Sequence, residues 1–174
     1  MENQEKKPKI WLYPGSFDPF TLGHLSIVEQ AYRQADQVVI TILQHPLKRT
    51  LFTVEERLQM VRASVRHLPG VTVVADNCLL VDLYRKFQAT AIVRGVRNFR
   101  DWEYERDYAL ANQNFLSSCQ FVYLAAPATL TYVSSSLVRE LLLYDKNIDN
   151  LLAPAVAPLL LQSVSYTHLR AHET

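Results

Sequence analysis

Residues 13–24, with the sequence YPGSFDPFTLGH, combine groups that suit phosphate binding. They follow the apolar run Ile10–Tyr13 and lead into a segment with helical spacing. Gly15 lies where a chain leaving a parallel strand must turn, and Gly23 lies where the next helix would begin. Free N–H groups at a helix start bind anions, and His24 adds a side-chain donor. The segment therefore predicts a phosphate-binding strand, loop and helix, although His24 alone also fits a capping or surface histidine.

Three other clusters carry polar or basic groups of the same kind. Ser134–Ser136 follow the fifth apolar run of the chain and open a helix, with one of the first two serines as the N-cap. Their hydroxyl and N–H groups suit a polyphosphate, but they also suit capping alone. Arg94 and Arg97 end the fourth run, and Lys48 lies in the loop after the second. These cations favour phosphate contacts, with solvated loops as the alternative.

Short apolar runs alternate with helix-length segments along the chain. Five runs predict buried parallel strands: Ile10–Tyr13, Val38–Leu43, Val71–Ala75, Ala91–Val93 and Phe121–Leu124. Apolar stripes predict helices after the first two strands, and further helices are expected at about Leu80–Phe87, Trp102–Leu116, Ser135–Tyr144 and, irregular because of two prolines, Ile148–Leu161. This alternation predicts a doubly wound, Rossmann-like α/β fold, with a five-stranded parallel sheet and helices on both faces. Ligands should bind beyond the carboxyl ends of the strands.

The composition of the chain limits which kinds of protein and which partners are expected. The chain has 174 residues, of which 49% are hydrophobic and 20% charged, with a formal net charge of +1. These values fit one folded domain, predicted over residues 1–164, and give no general attraction to nucleic acid. Cys78 and Cys119 match neither a disulfide framework nor a paired metal site. No run approaches the roughly 20 apolar residues of a membrane span. We therefore expect a soluble, cytoplasmic protein without nucleic-acid or membrane partners.

Known nucleotide-binding motifs separate the remaining classes. The absence of GxGxxG and GxxxxGK[ST] argues against dinucleotide oxidoreductases and P-loop enzymes. Residues 21–24 instead form a TxGH motif, which is typical of the wider nucleotidyltransferase superfamily. Four segments, namely YPGSFDPFTLGH, PLKRTLFTVEER (46–57), RGVRNFRDWEYE (94–105) and SSSLVRE (134–140), together resemble the bacterial phosphopantetheine adenylyltransferases. The resemblance runs from about residue 10 to residue 158.

This resemblance implies that ATP and 4′-phosphopantetheine react to give dephospho-coenzyme A and pyrophosphate, the penultimate step of coenzyme A synthesis. The attacking phosphate oxygen is already ionised, so no general base is needed. Direct in-line attack, without a covalent enzyme intermediate, then depends on positioning and on neutralising charge. The resemblance implies His24, Lys48 and Arg94 as the catalytic residues. His24 would contact the α-phosphate, while Lys48 and Arg94 would hold the phosphate of phosphopantetheine.

The same resemblance implies two sets of binding residues. The phosphopantetheine set is Ser16, Lys48, Leu80 and Arg94, although Leu80 also fits ordinary helix core. The ATP set is Ser16, Phe17, His24, Gly95, Arg97, Glu105, Tyr132, Val133, Ser134, Ser135 and Ser136. Magnesium is expected mainly on the ATP phosphates, with no metal site of the protein's own. A homohexamer, built as a dimer of trimers, and feedback binding of coenzyme A are also implied.

Some positions depart from the family pattern. Leu130 and Leu143 stand where an aromatic and a basic residue are common. Asp145–Asn147 replace a glycine pair, and Asn147 is expected to take the left-handed turn after the serine-led helix. Residues 165–174 lie outside the resemblance and are expected to be a non-native or disordered tail, although two histidines there have i, i+4 spacing.

Two other functions stay open from the residues. One is nucleotide transfer to another phosphate, such as nicotinamide mononucleotide or glycerol phosphate, and the Lys48 loop and the SSSLVRE spacing argue against it. The other is a non-catalytic nucleotide-binding or regulatory protein with the same fold. The presence of Thr21, His24, Lys48 and Arg94 argues against that second function.

Overall fold

A computed structural model of the chain describes residues 7–44 and 49–163. Within these ranges one parallel sheet contains β1 (Ile10–Gly15), β2 (Gln37–Leu43), β3 (Val71–Asp76), β4 (Ala91–Val96) and β5 (Phe121–Ala125). The strand order is β3-β2-β1-β4-β5. The five predicted strands are confirmed. The winding direction reverses between β1 and β4, and such a reversal leaves a crevice beyond the carboxyl ends of the two strands.

Helices connect the strands and continue after β5. They are α1 (Leu22–Tyr32), α2 (Val54–Val65), α3 (Leu80–Lys86), α4 (Phe99–Gln113) and α5 (Ser135–Leu143). The prediction of one helix over Ile148–Leu161 was wrong, because a 3₁₀ turn at Asp149–Leu151 is separated from helical residues 157–163. Pro154 lies in the intervening turn, and Pro158 lies in the first helical turn, where proline is tolerated. None of the described helices is long and apolar enough to cross a membrane.

The sheet is covered on both faces, as the sequence predicts for a doubly wound fold. Successive residues of a strand point to opposite faces. One buried cluster joins strand residues to α1 and α2, and its members include Tyr13, Ile40, Val93, Ile27 and Val61. A second cluster joins the alternate strand residues to α3, and its members include Leu12, Val39, Ile92, Leu80 and Leu83. A third cluster packs α5 and residues 148–160 against Phe52 and Met60, and so fixes α5 beside α2.

The turn after β1 was predicted at Gly15, but another residue makes it. No described glycine has a positive φ, whereas Phe17 has a φ of 49°. Gly15 is needed for space instead, because a Cβ there would lie 2.7 Å from the Phe17 ring. The prediction for Asn147 was also wrong, since Asp145 has the left-handed φ of 51°. The N–H of Lys146 then donates to the Leu141 carbonyl at 2.9 Å and ends α5 in a Schellman-type turn.

Candidate active site

A pocket of about 240 Å³ lies at the switch point, between the carboxyl end of β4 and the starts of α1 and α5. Backbone and side chains of both helix starts line it, so free N–H groups and positive dipole ends meet there. Its lining residues are Thr21, Gly23, His24, Ile27, Gly95, Val96, Arg97, Ala126, Val133, Ser134, Ser135 and Ser136. Seven of them are predicted ATP-binding residues: His24, Gly95, Arg97, Val133, Ser134, Ser135 and Ser136.

The start of α1 is closed by a reciprocal capping box. The hydroxyl of Thr21 accepts a hydrogen bond from the backbone N–H of His24 at 3.4 Å. The backbone N–H of Thr21 donates to Nδ1 of His24 at 3.1 Å. A backbone N–H can only donate, so Nδ1 must be the acceptor, and the proton of a neutral ring lies on Nε2. The capping interpretation of His24 is therefore correct, and it leaves Nε2–H as a donor for a ligand.

The charge state of His24 follows from its surroundings. Burial and, to a smaller extent, the nearby Arg97 guanidinium together lower its pKa from the usual 6.5 to about 4. The ring is held between Phe17 and Phe20, with ring centroids 5.2 Å and 5.4 Å away. His24 is thus a neutral, oriented hydrogen-bond donor at neutral pH, and it needs no proton transfer to contact a phosphate oxygen.

The serine cluster opens α5 on another wall of the pocket. Ser134 is the N-cap, and its hydroxyl accepts from the N–H of Leu137 at 3.1 Å. The Ser135 hydroxyl donates to the carbonyl of Pro19 at 2.8 Å and so ties α5 to the loop after β1. Capping therefore accounts for one serine and loop anchoring for a second. The N–H groups of Ser135 and Ser136, the first two of the helix, remain available for an anion.

Arg97 reaches the pocket from the segment after β4. Its guanidinium donates to the Asp101 carboxylate, with an Nε···Oδ2 distance of 2.8 Å, and to the Val133 carbonyl at 3.4 Å. Arg97 and Asp101 thus form an ion pair between residues four apart. Because Asp101 partly compensates the charge of Arg97, a phosphate has to compete with that carboxylate.

Arg94 and Glu105 do not belong to the pocket lining; they bind each other on the α4 side of the sheet. The Arg94 guanidinium makes a two-pronged contact with the Glu105 carboxylate, through Nε to Oε2 and through Nη2 to Oε1, the second at 2.7 Å. It also donates to the Pro14 carbonyl at 3.3 Å and lies over the Tyr108 ring at 5.2 Å. Burial on its own lowers the pKa of Arg94, but Glu105 reverses this and raises it. The predicted cation for the phosphopantetheine phosphate is therefore already paired.

The other predicted site residues lie in varied surroundings. Phe17 is 3% exposed and supports the His24 ring, while the Ser16 carbonyl accepts from Arg57 at 2.7 Å. Tyr132 is 59% exposed beside the pocket. Leu80 is buried within the α3 cluster, which is the core interpretation of that residue. Lys48 and the tail at 165–174 lie outside the described residues.

Sequence reasoning missed the buried carboxylate that holds the loop after β1. Asp18 is 3% exposed and accepts the backbone N–H groups of Leu51 and Phe52, each at 2.9 Å. Arg139 of α5 donates to the Asp18 carbonyl at 2.6 Å. An aspartate before a proline is a common turn signal. The sequence pattern therefore did not show that Asp18 binds backbone groups 33 and 34 residues further along the chain.

The chain is similar to known proteins in both sequence and fold. A family model described as cytidylyltransferase-like matches residues 12–141. A solved structure from Vibrio parahaemolyticus, described as a "putative nicotinate-nucleotide adenylyltransferase", superposes with a TM-score of 0.62 at 21% identity, covering 89% of this chain and 93% of that chain. That likeness establishes the fold. The chain is thus of the cytidylyltransferase-like class, with its pocket at the switch point of the sheet.

Curated relatives narrow the class. The phosphopantetheine adenylyltransferase of Symbiobacterium thermophilum is 42% identical over 83% of this chain and 89% of its own length. The protein of the same name from Synechocystis is 40% identical over 84% of this chain and 92% of its own length, and that from Moorella thermoacetica is 39% identical over 91% and 99%. This chain belongs to the phosphopantetheine adenylyltransferase family.

Proposed function

We propose that the chain transfers the adenylyl group of ATP to 4′-phosphopantetheine and releases pyrophosphate, giving dephospho-coenzyme A. The acceptor is inferred from the names of the relatives, which are similar over most of their length. The observation that carries the chemistry is His24, a neutral Nε2–H donor fixed by Thr21 at a helix start in the pocket. Such a donor suits a phosphoryl oxygen that gains charge during in-line attack.

The proposed roles follow the geometry of the two helix starts. The N–H groups of α1 and α5 would bind the phosphates of ATP, and His24 would donate to the α-phosphate. The Arg97 guanidinium would also bind a phosphate after breaking one of its hydrogen bonds to Asp101. Arg94 would bind the acceptor phosphate together with Lys48, and this requires Arg94 to share or leave Glu105. No general base is needed for a nucleophile that is already an anion.

Magnesium enters the proposal with ATP. Among the described residues, no three His, Cys, Asp or Glu side chains are grouped so that they could hold a metal ion. The oxygen atoms that a hard cation prefers would therefore come mainly from the ATP phosphates. Magnesium there would offset the charge of the leaving pyrophosphate.

The proposal also includes a cytoplasmic location, a homohexamer and inhibition by coenzyme A. Light scattering would test the hexamer, and inhibition kinetics would test the effect of coenzyme A.

The test is a pyrophosphate-release assay with ATP and one acceptor at a time. Phosphopantetheine should support turnover, whereas nicotinamide mononucleotide and glycerol phosphate should not. His24→Ala should lower kcat by at least about a hundredfold with nucleotide binding largely kept. His24→Gln is the matched variant, because glutamine at this position of a capping box still accepts from the Thr21 N–H. Turnover with another acceptor only, or an almost fully active His24→Ala enzyme, would refute the proposal.

A further inference from the structure

The loop after β1, here residues 16–20, is held by side chains of two other elements. Its carbonyl oxygens accept from Arg57 at residue 16, from Arg139 at residue 18 and from Ser135 at residue 19, at 2.7, 2.6 and 2.8 Å. A carbonyl without such a partner would present negative partial charge near a site for anions. These donors therefore both fix the loop and compensate its carbonyl dipoles.

Arg139, like Ser135, ties the loop to α5, and its guanidinium also makes a second contact within α5. One nitrogen of its guanidinium, Nη1, donates to the Asp18 carbonyl at 2.6 Å, and the other, Nη2, donates to the Ser136 hydroxyl at 3.3 Å. The same Nη1 lies 3.6 Å from the Asp18 carboxylate, which itself accepts the N–H groups of residues 51 and 52. One planar guanidinium thus connects the loop before α1 to the first turn of α5.

This connection matters because the loop supports His24. Phe17 and Phe20, on either side of Asp18, both contact the His24 ring, and Thr21, directly after the loop, accepts and donates in the capping box with His24. A shift at Asp18 would therefore be transmitted to the imidazole. A displacement of about 1 Å of a reacting or stabilising group is enough to lower a rate about a hundredfold.

We infer that Arg139 is a positioning residue for adenylyl transfer, which holds the α1 and α5 helix starts at the spacing that the phosphates require. This inference rests on the proposed function. Arg139 is not a phosphate ligand in this assignment, because both of its hydrogen-bonded nitrogens point to Asp18 and Ser136 and it does not line the pocket. The Asp18 carboxylate beside it also compensates its charge.

The test compares Arg139→Gln and Arg139→Lys with a matched control. Arg62→Gln is the control, because Arg62 also donates to a backbone carbonyl, that of Val73, but on the surface away from the pocket. Arg139→Gln should lower kcat about tenfold to a hundredfold and change KM for ATP by less than about threefold. Arg139→Lys keeps one cationic donor, so its kcat should lie between those of Arg139→Gln and wild type. The kcat and KM of Arg62→Gln should equal those of wild type.

Three results would overturn the inference. A raised KM for ATP with kcat unchanged would make Arg139 a direct ligand. A wild-type kcat per folded molecule, with the folded fraction taken from thermal unfolding, would leave Arg139 only a stabilising role. An equal loss of kcat in Arg62→Gln would show that the effect of Arg139→Gln is not specific to the contacts of Arg139 near the pocket.

Hydrogen exchange tests the anchoring without any substrate. Amides of residues 17–24 should exchange faster in Arg139→Gln than in wild type or Arg62→Gln, because the loop keeps only the Ser135 hydrogen bond to α5 and loses that of Arg139. Unchanged exchange would refute the positioning role. If wild type failed to use phosphopantetheine, the proposed function would fall, and the exchange experiment would still decide whether Arg139 holds the loop.

Discussion

The depressed pKa of His24 makes a quantitative prediction about stability. In the folded chain the imidazole titrates at about 4, compared with 6.5 for an unperturbed histidine. Between these two values the unfolded chain binds a proton that the folded chain does not bind. Stability from this residue is therefore complete above the unfolded pKa of 6.5 and is lost as the pH falls towards the folded value of about 4.

The size of the effect follows from the two pKa values. At about pH 5 the unfolded imidazole is almost fully protonated and the folded one almost fully neutral, so the lost stability is about 2 kcal/mol relative to about pH 7.5. Other groups add their own pH dependence, including Glu56, whose pKa is lowered by hydrogen bonds from Thr53 that outweigh its partial burial. A difference between two variants removes these shared contributions.

His24→Gln provides that difference, because it keeps the acceptor for the Thr21 N–H and has no titrating group. Urea unfolding of wild type and His24→Gln should be measured at about pH 7.5 and about pH 5, at one fixed protein concentration because any assembly would change apparent stability. The drop in unfolding free energy should be about 2 kcal/mol larger for wild type. Equal drops in both proteins would show that the pKa of His24 is not lowered in the folded chain, and would refute the assignment of its donor.

Three further substitutions test separate parts of the structure by urea unfolding. Glu105→Gln should destabilise the fold by about 3 kcal/mol, because it leaves the largely buried Arg94 side chain, which is 17% exposed, without a charged partner, and a loss below about 1 kcal/mol would contradict the pairing. Gly15→Ala should cost about 1–3 kcal/mol, because its Cβ would meet the Phe17 ring, and an unchanged midpoint would be evidence against this contact. Thr41→Val should leave stability unchanged or raise it by about 1 kcal/mol, since the buried Thr41 hydroxyl has no partner among the described residues; a clear loss would indicate a missed hydrogen bond.

The strands and the first helix were predictable because their signals are local. The β-branched runs are long enough for buried parallel strands, and Thr21 with His24 has the spacing of a helix start. Ser134 likewise opens α5, because one serine side chain can satisfy the third N–H beyond it. These features depend on neighbours within three or four residues, and sequence patterns describe such neighbours well.

The partners of the arginines were not predictable in the same way. Arg94 meets Glu105 only because β4 and the following helix bring residues 94 and 105 together, and Arg139 meets Asp18 across 121 residues of chain. The pattern of charged and apolar residues along the sequence does not show which distant residues form such pairs. The left-handed conformation of Phe17 also follows from packing, since it places an aromatic ring against Gly15 and His24 where local preference favours glycine.

The pairing of these arginines changes how the site should be understood. Arg94, Arg97 and Arg139 each contact or closely approach a carboxylate, so the described site carries much less free positive charge than its arginines suggest. The donors left for an anion are largely neutral: helix N–H groups, serine hydroxyls and His24 Nε2–H. Oriented neutral donors stabilise charge that develops in a transition state without binding every polyanion tightly. A site that must release pyrophosphate as well as bind ATP benefits from that balance, because a cluster of unpaired cations would hold the product as firmly as the substrate.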